Sequence, residues 1–300
     1  DLLYSLPFLS AAHRGAGTVA PENTLMGFDC GKQMGYSAVE FDVMLSSDKL
    51  PFLIHDEDLG RTVVGSGRAC ELTRVELCAL DAAKWHPTQG TAPAASGHSW
   101  DQSGQVPAFE DVLAYCRLND IWMNVEIKPA KGFEADTGTV VAQYTEKAFQ
   151  SELAELDRLY TVFDYKTISS AMAKLPLISS FYYESLVAAK AAAPKLPRAF
   201  LVDDLNSEIS KDWRTQLEAI DAVAVHTNHK YLTKELAVEI KSKGYALFCY
   251  TVDTVEDYDK LKAWGVDSVC TDALNNPHNL ALAAEGPLFS LCSPPAALPA

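Results

Sequence analysis

The chain has 300 residues, 48% of them hydrophobic, a composition that excludes a disordered or fibrous protein and a length that suits one (β/α)8 barrel. Its 25 Lys and Arg face 40 Asp and Glu, so the net charge of −15 argues against nucleic acid as a partner. A small anion is still admissible wherever a cation and a few basic groups reverse the field locally.

Taken in chain order, short apolar runs alternate with helical periods, the pattern of parallel strands joined by crossover helices. The expected strands are 7–13, 38–43, 52–56, 121–128, 177–181, 198–202, 222–226, 246–252 and 267–271. The expected helices are 24–34, 110–117, 136–150, 183–193, 213–219, 233–243, 255–263 and 277–284. The strand list is one too long for an eight-stranded barrel. Asp42 and Phe52 are separated by nine residues that include the turn-forming Ser46-Ser47-Asp48-Lys49. A parallel crossover needs a dozen or more, so these two runs form an antiparallel hairpin whose second arm is an excursion at the barrel mouth. Folding the chain about a midpoint near Asp48 and Lys49 sets His55 opposite Asp42.

Segments 81–105 and 151–174 are expected to be inserted loops, the first rich in Pro, Gly, Ser, Thr and Ala, the second without a clean period. Residues 286–300, with four prolines, read as a loosely held tail behind a single catalytic domain over 1–285. The seven cysteines are scattered and contain no Cys-x-x-Cys, which fits neither a disulfide framework nor a zinc site and predicts reduced thiols and a cytoplasmic protein. The chain starts on Asp1-Leu2-Leu3-Tyr4 with no basic segment before an apolar one, and a signal peptide removed beforehand would leave a periplasmic or secreted form as the alternative to the cytoplasm. No run approaches the roughly 18 uncharged apolar residues of a membrane span, and no basic amphipathic segment marks a lipid surface.

Three strands carry unusual polarity. The first ends in His13-Arg14-Gly15, at the strand end where barrel enzymes keep functional groups. The second carries Glu40-Phe41-Asp42, whose period of two sends both acids to one face. Unless that face is a solvated edge, two inward carboxylates require a cation between them, and oxygen ligands suit a hard ion such as Mg²⁺ or Ca²⁺. In 121–128, Asn124, Glu126 and Lys128 share a face, adding a third oxygen ligand and an ammonium for a phosphate oxygen. His55-Asp56 ends the hairpin arm, and two histidines beside a metal suit phosphodiester cleavage, one removing a proton and one supplying it.

The ordered set His13-Arg14-Gly15, Pro21-Glu22-Asn23-Thr24, Glu40-x-Asp42, His55-Asp56 and Glu126-x-Lys128 resembles glycerophosphodiester phosphodiesterases over almost the whole barrel. Ser179-Ser180-Phe181, Tyr250-Thr251-Val252-Asp253, Trp264-Gly265-Val266-Asp267 and Thr271-Asp272 look like that family's later strands, and the stretch around His226 looks closest to the cytoplasmic bacterial type. The resemblance implies a TIM barrel with His13 and His55 as acid and base, Glu40, Asp42 and Glu126 as ligands of a divalent ion (Mg²⁺, Ca²⁺ or Mn²⁺), and Arg14 and Lys128 on the phosphate. It implies sn-glycerol 3-phosphate and an alcohol as products, a soluble small-molecule substrate, and Glu22 and Asn23 as residues that shape their loop and orient Arg14. Tyr250 departs from the family, which often has Trp there.

Two rival readings share the barrel: a phospholipase of the phosphoinositide or sphingomyelinase D kind, which needs an apolar entrance, and a non-catalytic anion binder, which has no need of two proton-transfer groups. His226-x-x-His229 follows a strand, where that spacing does not converge two imidazoles on a metal, so a structural or rim role is expected. His86, His98 and His278 receive no functional role and no partner, and Phe181, Tyr250 and Trp264 are candidates to line the pocket.

Overall fold

In the computed structural model, residues 4, 6–7, 9–87, 104–162 and 165–284 are described. Successive residues of a strand point to opposite faces, and this decides which of them meet the helices. Val39, Phe41 and Val43 join Phe28, Phe109 and Val112 in the outer core, whereas Ala38, Glu40 and Asp42 belong to the interior face.

The elements follow in order: β1 (Ser10–Ala12), α1 (Leu25–Gln33), β2 (Ala38–Leu45), β3 (Pro51–Leu53), α2 (Arg74–Cys78), α3 (Phe109–Leu118) and β4 (Trp122–Ile127). Then come α4 (Glu134–Ala148), α5 (Gln150–Val162), α6 (Tyr165–Met172), β5 (Leu177–Ser180), α7 (Tyr183–Ala192), β6 (Arg198–Val202) and α8 (Trp213–Ala219). The chain continues through β7 (Ala224–Asn228), α9 (Lys234–Ser242), β8 (Ala246–Tyr250), α10 (Val255–Ala263), β9 (Ser268–Thr271) and α11 (Pro277–Ala284). Threonines begin several helices as the sequence suggests: Thr24, Thr233 and Thr254 each accept a backbone N–H of the first turn.

Eight strands run parallel in the order β1-β9-β8-β7-β6-β5-β4-β2, and the pairing of Ala12 with Val39 closes the barrel. β3 lies outside this ring, antiparallel to the end of β2. The expected hairpin is there, with its register shifted by one. Val43 faces Leu53 and Leu45 faces Pro51, and the Ile54 N–H donates to the Asp42 carbonyl, so Ile54 and not His55 stands opposite Asp42. The turn accounts for the shift. The Ser46 N–H donates to the Leu50 carbonyl and Lys49 takes a positive φ of 59°, which centres the turn on Asp48.

The expectation of a loop over 151–174 is wrong, because α5 and α6 occupy it. Leu153, Leu156 and Leu159 recur every third residue and are all buried, so a narrow apolar stripe among charged neighbours is enough to dock α5 on the outer core. Of the other expected loop, Asp81 and Gln105 pair across its base, and residues 88–103 lie outside the described residues. The proline-rich 286–300 also lies outside them, as does His98.

The barrel interior is graded. Tyr4, Ala38, Trp122, Leu177, Ala199, Ala224 and Ala246 fill it at the N-terminal end of the strands. Toward the C-terminal end the same interior rows carry Glu40, Asp42, Asn124, Glu126, Ser179 and His226, all buried. A separate small core of Met44, Phe52, Ile54, Val63, Leu77 and Val106 holds the excursion after β3 against the barrel rim. Among the described residues no helix is long and apolar enough to cross a membrane.

Candidate active site

His13 leaves β1 at its C-terminal end, and the chain turns at once. Arg14 adopts φ 51° and Gly15 φ 85°, a left-handed pair that aims the Arg14 backbone N–H at Glu40 Oε2, 3.0 Å away. Only glycine fits at 15, because a Cβ there would come within 2.8 Å of the Phe28 ring. The His13 ring is oriented from behind: its Nδ1 lies 2.6 Å from Asp272 Oδ1, while Nε2 faces Glu40 Oε2 at 3.8 Å. Asp253 holds the turn that carries Asp272, accepting from the Thr271 hydroxyl at 2.9 Å and the Asp272 N–H at 2.8 Å.

Parallel register sets Glu40 beside Asn124 and Asp42 beside Glu126. Carboxylate oxygens of Glu40, Asp42 and Glu126 lie within 4.8 Å of one another, all three residues buried. Burial and the charge of Asp42 push the Glu40 carboxyl up to about 7, and the same two causes push Glu126 well above the carboxylate range. Asp42 is the exception. Burial alone would raise it, but the charges of Lys128, Arg14 and His55, with a hydrogen bond from Asn23, hold it down at about 2.

The cationic side is equally organised. Lys128 Nζ lies 3.5 Å from Asp42 Oδ1 and Arg14 Nε 3.7 Å from Asp42 Oδ2. Glu22 anchors Arg14 through a 2.9 Å contact and also accepts from Arg61, which in turn grips Asp56. His55 Nδ1 meets Asp56 Oδ1 at 2.8 Å, so the arm bearing His55 is tied to the loop bearing Arg14. Burial lowers the His55 imidazole pKa, as do Arg14 and Lys128, and this outweighs the attraction of Asp42 and Asp56. His13 goes the other way: burial opposes its protonation, but the Asp272 hydrogen bond and the Glu40 charge overcome it.

These residues fit a hard divalent cation. The three carboxylates offer only oxygen, they repel one another in a buried site, and Glu40 Oε1 has no hydrogen-bond partner among the described residues. All seven residues singled out from the sequence converge: His13, Arg14, Glu40, Asp42, His55, Glu126 and Lys128 line one cavity of about 200 Å³. A wider groove of about 480 Å³ opens beside it past His55, Lys128, Arg61 and Tyr182.

Some assignments change. Asn23, expected to orient Arg14, bonds it through the backbone, its N–H donating to the Arg14 carbonyl at 2.9 Å, and its side chain also holds Asp42: Nδ2 donates to Oδ2 at 2.9 Å and Oδ1 accepts the Asp42 N–H at 3.2 Å. Trp264 is not in the cavity, since it caps α10 outside the barrel with Lys260 over its ring, whereas Phe181 and Tyr250 do line it. His86, expected to lack a partner, lies 3.1 Å from the Thr18 carbonyl, and His278 packs edge-on against Tyr258. Sequence reasoning named Thr271-Asp272 only as a motif and missed its grip on His13. The signal was there, an acid at the C-terminal end of the last strand. Nothing in the sequence marked Arg61.

His226 and His229 diverge. His229 Nδ1 lies 3.8 Å from Asp257, and His226 lines the cavity. Burial pushes the His226 pKa down to about 3, below the roughly 6.5 of an unfolded chain. The native state therefore holds it neutral, and its stabilising share is intact above about pH 6.5 and lost as the pH falls toward 3, at about 1.4 kcal/mol per pH unit. Exchanging His226 for Gln is expected to flatten that slope in urea denaturation between about pH 6.5 and about pH 5. An unchanged slope would mean that His226 is protonated in the native protein.

Residues 13–276 match the profile of the Glycerophosphoryl diester phosphodiesterase family. A glycerophosphodiester phosphodiesterase of Caldanaerobacter subterraneus is 28% identical over 264 residues, covering 88% of this chain and 93% of the relative. One from Bacillus subtilis is 25% identical over 272 residues, covering 91% and 86%. Among solved structures, an Oleispira antarctica phosphodiesterase in complex with the product sn-glycerol-3-phosphate superposes with a TM-score of 0.71 at 27% identity, covering 93% of this chain and 97% of that one. With the barrel, its extra hairpin and the matched residues together, the chain belongs to the glycerophosphoryl diester phosphodiesterase family and is a hydrolase of phosphoric diesters.

Proposed function

We propose that the protein hydrolyses small soluble glycerophosphodiesters to sn-glycerol 3-phosphate and an alcohol, using a divalent ion and the pair His13 and His55. The observation that carries this reading is the convergence of Glu40, Asp42 and Glu126 between two histidines and two cationic side chains. Bound among those carboxylates, Mg²⁺, Ca²⁺ or Mn²⁺ would neutralise charge developing on a nonbridging phosphate oxygen.

The chain's own residues do the rest. Arg14 and Lys128 draw the phosphate toward the acids and fix its orientation, Arg14 being braced by Glu22. One of His13 and His55 takes the proton of the attacking oxygen, that of water or of the glycerol 2-hydroxyl, whose cyclic phosphate water then opens, and the other protonates the departing alkoxide. Asp272 keeps the His13 ring turned with Nε2 inward. Exchanging Asp272 for Asn is therefore expected to cost about 10²-fold in kcat with little change in KM, and nothing further in a His13→Gln background. A rise in KM alone would assign Asp272 to binding. The free cysteines among the described residues suit a reducing compartment such as the cytoplasm.

The test is release of sn-glycerol 3-phosphate from glycerophosphocholine, measured after chelation and after re-addition of each cation. Turnover lost with chelator and restored by a divalent ion is the expected result. Turnover indifferent to chelation would remove the cation from the account, and no release under any condition would remove the activity.

A further inference from the structure

His55 and Arg14 stand on segments that no strand ladder holds together. Arg14 follows β1 and His55 follows β3, and β1 and β3 do not pair. What joins them is Arg61. Its guanidinium donates to Glu22 from Nη2 to Oε1 at 2.8 Å and from Nη1 to Oε2 at 3.2 Å. It donates to Asp56 as well, from Nε to Oδ2 and from Nη2 to Oδ1 at 3.1 Å. Each acid then passes the contact on: Glu22 Oε1 accepts from Arg14 Nη1 at 2.9 Å, and Asp56 Oδ1 meets His55 Nδ1 at 2.8 Å. Five side chains therefore form one alternating series of bases and acids, in the order His55, Asp56, Arg61, Glu22 and Arg14.

A lone exposed ion pair holds little in place, because solvent screens it and both side chains lose freedom. Arg61 differs on two counts. Its rigid fork engages both oxygens of two carboxylates, one of them on the buried Glu22, a geometry that an ammonium cannot reproduce. The loop that presents it is also fixed. The Gly60 N–H donates to the Val63 carbonyl, the Leu59 N–H to the Gly67 carbonyl and the Ala69 N–H to the Glu57 carbonyl. Gly60 takes φ 121° to make that turn, and Val63 and Leu59 pack into the small core at the barrel rim. A fixed donor between two acids transmits position, and a reacting group displaced by about 1 Å loses about 10²-fold in rate.

We infer that Arg61 is a positioning residue that sets the proton-transfer group His55 and the phosphate-binding Arg14 relative to each other, acting through Asp56 and Glu22. This rests on the hydrolase reading above and makes the excursion after β3 a working part of the site. The influence has two branches. The one through Asp56 ends on proton transfer and belongs to kcat, and the one through Glu22 ends on phosphate binding and belongs to KM.

Steady-state kinetics on glycerophosphocholine in a double-mutant cycle test it. Arg61→Met is expected to lower kcat about tenfold and to raise KM about tenfold. In an Asp56→Asn background the same exchange is expected to raise KM but to cost nothing further in kcat, and in a Glu22→Gln background to lower kcat but to leave KM where it stands. Arg61→Lys, which keeps the charge without the fork, is expected to recover only part of either loss. Unchanged kinetics in Arg61→Met, or losses that repeat in full in both backgrounds, would overturn the inference and leave Arg61 a surface ion pair. Full activity in Arg61→Lys would overturn it too, and that variant answers alone if Arg61→Met fails to fold. A wild-type protein inert toward the diester would instead overturn the hydrolase reading, and the inference with it.

Discussion

Exchanging Glu126 for Gln is expected to lower glycerophosphodiester turnover about 10³-fold while raising the melting temperature of the chelator-treated protein. The two effects have one cause. Glu126 is buried beside Asp42 and Glu40, and desolvation with like-charge repulsion drives its carboxyl toward the neutral form. An isosteric amide removes that repulsion at little cost in packing, and each kcal/mol relieved is worth about 2–4 °C in a chain of this size. The same amide presents one neutral oxygen to a cation where the carboxylate presents a charge, so charge stabilisation of several kcal/mol is forfeited in the reaction. Thermal scans in EDTA and kinetics with added Mg²⁺ read the two together. Lower stability with undiminished turnover would mean that Glu126 is a structural acid and that the three carboxylates are no cation site.

His13→Gln and His55→Gln are each expected to cost about 10²- to 10⁴-fold in kcat, with the double variant no slower than the worse single one. The two rings sit on opposite supports, His13 on Asp272 and His55 on Asp56, and both line the cavity that holds the acids. Proton removal and proton delivery belong to one reaction, so losing either leaves the other with nothing to complete, and the losses overlap. Binding of sn-glycerol 3-phosphate, followed by calorimetry, is expected to persist in both variants because Arg14 and Lys128 are untouched. Additive losses, or loss of product binding along with turnover, would make the histidines phosphate ligands and leave the acid and base unidentified.

Much of this site is legible in the sequence because strand geometry is nearly rigid. The period of two sets Glu40 with Asp42, and Asn124 with Glu126, on one face, and the parallel pairing of β2 with β4 merges the two faces. The hairpin is legible from its length, but its register is not. A turn centred one residue differently moves the partner of Asp42 from His55 to Ile54, and that choice lies in the Ser46–Leu50 hydrogen bond and the positive φ of Lys49. α5 escaped notice because Leu153, Leu156 and Leu159 form a thin stripe diluted by acids and polar residues, and docking on the outer core decides the matter. Asn23 and Arg61 act across long separations, on Asp42 and on Glu22, and no local pattern reports such contacts.

The most direct measurement is anomalous scattering from crystals grown with Mn²⁺ and sn-glycerol 3-phosphate. The account predicts one strong peak among the carboxylates of Glu40, Asp42 and Glu126, with the phosphate between that peak and the side chains of Arg14 and Lys128. A peak elsewhere, or none at those carboxylates while the product is bound, would contradict it.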